Sequence, residues 1–170
     1  MTTARQKRNR FRLVAGAGFA AYAALVFGLP TAPPTSRALA GERIVVDWHS
    51  GLAIDGYDPV AFFTEGKPVA GSADFELRYV NVIWRFSNPG NRAAFAAAPD
   101  VYMPQYGGYD PLGVARGLAV AGNPNVWMIT GRRLFLFYDN ARRQKFARDP
   151  GRVTDSADRK WPEVERALTP

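Results

Sequence analysis

The four residues Gly-Tyr-Asp-Pro occur at 56–59 and again at 108–111, 52 residues apart. No other feature constrains the fold as much, because the likeness extends well past the tetrapeptide. In each copy an aspartate caps a short helix whose first turn holds a proline, in DPVAFF and in the PLGVAR that follows Asp110. Loops come next, at Lys67-Pro68 with Gly71-Ser72 and at Gly122-Asn123-Pro124. Residues 75–79 and 82–86 are rich in β-branched and aromatic side chains and alternate, which predicts a hairpin turning at Val80-Asn81. Residues 126–130 and 134–138 predict a second hairpin around Gly131-Arg132-Arg133. A capped helix then follows each hairpin, Asn88 opening one and Asp139 the other, and each stops before a proline, Pro99 or Pro150. Phe86, Phe95, Ala96 and Pro99 recur 51 residues later as Phe137, Phe146, Ala147 and Pro150.

Small domains also reuse turn chemistry, and Asp-Pro is a common helix opener. The register therefore fits both a duplicated unit and a coincidence of turns. Either way the expected fold class is α+β, with antiparallel hairpins at about 75–86 and 126–138, each followed by a helix and sharing one antiparallel sheet. ERIVVDW at 42–48 predicts a short additional strand. A last helix is expected from 156 to 168, with Trp161, Val164 and Leu168 on one face and Trp161-Pro162 delaying its regular start.

Residues 1–40 read as an export signal. A basic stretch precedes an apolar run at 13–29, and a small-x-small triplet closes at Ala40. Cleavage there leaves a domain of 41–170. The alternative is an uncleaved single-pass anchor in an inner membrane. Seventeen apolar residues reach only about 26 Å as a helix, against a hydrocarbon core of roughly 30 Å. In both cases the expected location of the domain is periplasmic, or otherwise outside the cytoplasm.

Charge and composition exclude several functions. Six of the 22 basic side chains lie in residues 1–40, which hold no acid, so 16 basic residues face 15 acidic ones in the remainder. A near-neutral body has no electrostatic footprint for nucleic acid. Cysteine is absent, which removes disulfides, thiolate catalysis and thiolate metal sites. One histidine, His49, and two methionines beyond the export segment are a thin ligand supply, so no metal and no cofactor is expected. No serine sits in a nucleophile-elbow setting. The cluster Arg132, Arg133, Arg142, Arg143, Lys145, Arg148 and Arg152 reads first as a solvated helix face, and otherwise as an attraction for anionic lipid.

The stretch from Ala53 to Pro162 resembles the exported branch of the YHS-domain family. The likeness lies in Trp84-Arg85-Phe86-Ser87, in Phe95, in Pro99-Asp100-Val101-Tyr102 and in the Gln105-Tyr106-Gly107-Gly108-Tyr109 loop. It lies also in the Asn-Pro-x-x-Trp ending at Trp127 and in the tail at Lys160-Trp161-Pro162. Ala61, Asn91 and Asp110 stand where many such domains carry cysteine, and at the last position sometimes selenocysteine. The resemblance thus points away from thiol chemistry in this chain.

The expected role is a non-catalytic module for a small ligand or a periplasmic protein partner. Residues 13–29 would provide any membrane association. The ligand-binding candidates are Tyr57, Asp58, Tyr106, Gly107, Gly108, Tyr109 and Asp110, forming a cleft between the two Tyr-Asp-Pro openings. There the glycines permit close approach, the tyrosines donate hydrogen bonds, and the helix openings present backbone N–H groups to an anion. The alternative is an enzyme using Asp110 as general acid or base with Tyr106 or Tyr109 orienting the substrate. A carboxylate at a helix start is ordinarily stabilised in its charged form, which ranks that alternative second.

Overall fold

The computed structural model describes residues 43–168, so residues 1–40, read above as an export signal, and their apolar run at 13–29 lie outside the described residues. Helix α1 is Ala61–Thr64. Strands β1, Ser72–Tyr79, and β2, Val82–Phe86, form the first hairpin, followed by α2, Pro89–Ala97, and α3, Pro99–Tyr102. Helix α4, Pro111–Val114, leads to the second hairpin, β3 at Asn123–Thr130 and β4 at Arg133–Phe137. Helices α5, Asn140–Arg148, and α6, Pro150–Leu168, complete the order. The fold class is α+β.

The two halves agree in their irregular details. Both hairpins turn on two residues with positive φ, Val80-Asn81 at 50° and 62° and Gly131-Arg132 at 57° and 63°. This is the primed turn whose twist suits antiparallel strands. Both slip register at the same point. Ser72 faces Phe86 and the next pair is Glu76 with Arg85, while Asn123 faces Phe137 and the next pair is Trp127 with Leu136. All four positions differ by 51 residues. Gly71 and Gly122, which precede the slips, lie so close to the partner strand that a Cβ would meet Arg85 in one case and Leu136 at 2.6 Å in the other.

Helices α2 and α5 begin alike. Asn88 accepts from Asn91 N at 2.8 Å and Asp139 accepts from Arg142 N at 2.8 Å. They also end alike, on Ala98 and Asp149 with φ of −148° and −155° and ψ of 64° and 73°. The recurrence is therefore a repeated three-dimensional unit and not a reuse of isolated turns.

Three expectations need correction. The hairpins do not share a sheet but form two separate two-stranded sheets. The free edge of β2 is closed by a loop instead, since Ala53 N donates to Ile83 O at 2.9 Å and Leu52 bridges Ile83 in parallel. The described part of ERIVVDW, residues 43–48, supplies no strand. The Asp47 carboxylate accepts from His49 N and Ser50 N and turns the chain, leaving one bridge between Val46 and Ala53. The last helix starts at Pro150, not at 156, and carries Pro162 inside it. Proline lacks the N–H that a helix start leaves unused, so Pro99 and Pro150 end one helix and open the next.

Two aromatic clusters form the core. Phe95 packs on Trp84 and Phe86 at 5.0 and 5.2 Å, and Phe146 packs on Phe135 and Phe137 at 4.9 and 5.1 Å. Strand β4 lies between the clusters. Leu134 and Leu136 face the first and Phe135 and Phe137 the second, which is why Leu-Phe-Leu-Phe shows no polar alternation.

Candidate functional site

Each Gly-Tyr-Asp-Pro corner is entered through a strained 3₁₀ turn, Ile54–Gly56 in one half and Gln105–Gly108 in the other. Ile54, Asp55 and Gly56 have φ of 42°, 56° and 76°, and Tyr106, Gly107 and Gly108 have φ of 56°, 62° and 92°. The bend aims the following aspartate inward. Asp58 and Asp110 are both fully buried.

Their bonds account for that burial. Asp58 Oδ1 accepts from Val60 N at 2.8 Å and Ala61 N at 3.3 Å. Its Oδ2 accepts from Ser87 N and Ser87 Oγ, both at 2.8 Å, and from Asn91 Nδ2 at 2.7 Å. Asp110 Oδ1 accepts from Leu112 N at 2.9 Å, Gly113 N at 3.0 Å and Arg142 Nη1 at 3.2 Å, and its Oδ2 accepts from Tyr138 N at 2.9 Å. Ser87 and Tyr138 are equivalent positions, as are Asn91 and Arg142. Each aspartate ties the start of its short helix to the end of a hairpin and to the helix beyond it. The backbone N–H groups expected to meet a ligand are taken by these oxygens. A buried carboxylate surrounded by donors of this kind is a structural acceptor.

The seven candidates do not gather in one cleft. Tyr57 meets Asn125 of β3, its hydroxyl accepting from Asn125 Nδ2 at 3.3 Å. Asp58 and Asp110 sit inside separate halves. Gly108 packs under Ile54 and Val45, and Tyr109 is buried beside Trp161 at 6.2 Å between rings. Of the seven, Tyr106 and Gly107 line an open groove of about 450 Å³.

That groove runs between the hairpin turn at Tyr79-Val80, the segment from Met103 to Gly107, and Trp161 and Glu165 of α6. Arg43 stands at its rim, 3.1 Å from Glu165. Gly107 is required there, because a Cβ would fall on the carbonyl of Arg43, and its own carbonyl accepts from Val45 N at 2.8 Å.

Tyr106 is held by two residues whose role is invisible in the sequence pattern. Its hydroxyl donates to Asp158 Oδ1 at 2.7 Å, and Arg133 Nη2 donates to the same oxygen at 2.9 Å. Arg133 Nε also donates to Gln105 Oε1 at 2.9 Å. Burial, followed by the Asp158 hydrogen bond and charge, pushes the Tyr106 phenol well above its ordinary range. Burial works to raise the Asp158 carboxyl, but the bonds from Arg133 and Tyr106 and the Arg133 charge outweigh it and hold the group below the usual carboxylate range. Arg133 opens β4 and Asp158 lies in α6, so only the packing of the helix on the hairpin joins them. No periodicity announces that contact.

Family models, curated proteins and solved structures contain no match to this chain. The site must therefore be read from its own chemistry. Among the described residues no three His, Cys, Asp or Glu side chains gather around a point where a metal ion would sit. His49 is exposed on the Asp47 turn, stacked beside Trp48. No described helix is long and apolar enough to cross a membrane.

Proposed function

We propose that this chain is an exported, non-catalytic binding module of the YHS type, which holds a small ligand in the groove beside Tyr106 and Gly107. The export signal at residues 1–40 and the family resemblance motivate the setting. The observation that carries the reading is the contrast between that open groove and the closed Asp110. A general acid or base needs a free lone pair or proton within reach of substrate. Asp110 is buried, and three backbone N–H groups and Arg142 occupy its oxygens. The Tyr106 hydroxyl is likewise committed to Asp158. What the groove offers is shape and mixed chemistry. Trp161, Tyr79 and Met103 give an apolar lining, while Asp100, Gln105 and the Arg43–Glu165 pair give polar edges. This combination suits a small molecule with an apolar body and polar ends.

The test is a thermal-shift screen of such compounds on the full chain and on Met103→Glu, which puts a charge in the groove wall. Compounds that raise Tm in the wild type and not in the variant support the reading. Turnover of any substrate that Asp110→Asn abolishes, with no compound stabilising either form, would overturn it.

A further inference from the structure

A second groove, of about 520 Å³, lies against α4, α5 and α6. Leu112, Ala115 and Val153 form its apolar side. Four cations surround them: Arg116, Lys145, Arg148 and Arg152. Among the described residues none of these four side chains makes an ion pair or a side-chain hydrogen bond. The single acid at the rim, Asp149, accepts from Arg152 N at 3.1 Å as the cap of α6.

The repeat supplies an internal control, because in the first half the same framework carries two aromatic rings at the equivalent positions. Counted from the shared aspartates and hairpin ends, Ala115 corresponds to Phe63 and Val153 to Tyr102. In the first half those two rings meet edge to face at 5.5 Å and fill the space. Arg116, Lys145, Arg148 and Arg152 correspond to Thr64, Ala94, Ala97 and Val101. The second half has thus lost two aromatic fillers and gained four cations around the gap. Unpaired like charges so close together repel one another, and neither change helps the fold. Together they make a concave, positively charged site with an apolar wall.

We propose that this groove binds a multiply charged oxyanion of the phosphate class borne on a small apolar body. Three guanidinium forks and one ammonium, from the turn after α4, from α5 and from α6, match the several oxygens of a phosphate better than the two of a carboxylate. Leu112, Ala115 and Val153 would cover the apolar part. The same chemistry is available from a soluble phosphate ester or from a lipid headgroup, and this site is separate from the groove beside Tyr106.

Titration calorimetry of the full chain with phenyl phosphate, at constant ionic strength, tests the soluble source. Co-sedimentation with vesicles of equal parts phosphatidic acid, whose headgroup is a phosphomonoester, and phosphatidylcholine tests the lipid source. The vesicle arm is scored as the difference between wild type and Arg148→Gln, so that binding through residues 13–29 cancels. Arg148→Gln and Arg152→Gln should each weaken phenyl phosphate about tenfold, the effect of losing one charge-assisted hydrogen bond. Arg92→Gln removes the same charge from the first half and should change nothing. Val153→Tyr restores the first half's filler with every cation kept, and should abolish binding while the circular dichroism spectrum is unchanged. Ala115→Phe serves the same purpose if Val153→Tyr does not fold. Binding by vesicles alone assigns the site to a headgroup, and binding of phenyl phosphate alone assigns it to a soluble ester. Binding of neither probe overturns the proposal. So does an equal loss in Arg92→Gln and Arg148→Gln, or full binding by a folded groove-filling variant, since either would reduce the groove to diffuse surface charge.

Discussion

Asp58 and Asp110, 52 residues apart, make the same three backbone bonds. Each accepts from the second and third residues beyond it and from the first residue after its hairpin, Ser87 N or Tyr138 N, at distances between 2.8 and 3.3 Å. Removing either carboxylate strands two buried N–H donors and a third that is partly buried. Asp58→Ala and Asp110→Ala should therefore each destabilise the protein by about 3–5 kcal/mol, as buried donors without acceptors do. Urea unfolding monitored by tryptophan fluorescence measures this. A loss below about 1 kcal/mol for either variant would contradict the role assigned to it.

The strained turns that precede the two aspartates give opposite expectations for two equivalent positions. Gly107→Ala should be severely destabilising, because its Cβ would strike the Arg43 carbonyl and displace the chain that donates from Val45 N. Asp55, its counterpart, carries a side chain at φ 56°. Asp55→Gly should be neutral or stabilising by up to about 1 kcal/mol, since glycine adopts that conformation without steric cost. Thermal unfolding of the two single variants compares them directly.

Val80 is a β-branched residue held at φ 50° in a turn whose equivalent in the second half is Gly131. It is exposed, so little packing compensates. Val80→Asn should raise stability by about 1 kcal/mol, the cost of a left-handed backbone at such a residue. An unchanged or lower unfolding midpoint in urea would show that Val80 is retained for contacts, consistent with its place on the wall of the Tyr106 groove.

The Tyr106–Asp158–Arg133 cluster should show at both ends of the pH scale. The folded value of Asp158 lies below its unfolded one. Its contribution is therefore complete above about pH 4 and is lost as the pH falls through the folded value. The folded value of Tyr106 lies above its unfolded one. Its contribution is complete below about pH 10 and is lost as the pH rises further. Asp158→Asn should flatten the acid limb of a plot of urea midpoint against pH, and Tyr106→Phe the alkaline limb. Variants whose limbs keep the wild-type slope would show that other groups govern them.

The sequence by itself determined the local grammar: the capped helices, both hairpins, the two proline stops and the 51-residue register. These are legible because they depend on neighbours in the chain, such as Asn88 with Asn91 or the alternation from Val82 to Phe86. It also determined what is missing, since without cysteine no fold can supply a thiolate. The tertiary structure decided everything that depends on residues meeting across distance. It closed the edge of β2 with Ala53 and so kept the hairpins in separate sheets. It buried both faces of β4, hiding the alternation by which a strand is usually read. It closed over Asp110, which the sequence offers both as a helix cap and as a cleft residue, because Tyr138 and Arg142 arrive from a hairpin and a helix that meet it. It joined Tyr106 to Asp158 and Arg133, and emptied in one half the space that Phe63 and Tyr102 fill in the other. Hydrogen bonds to the next few residues are written in the order of the chain, whereas burial and cavities arise only when distant surfaces are pressed together.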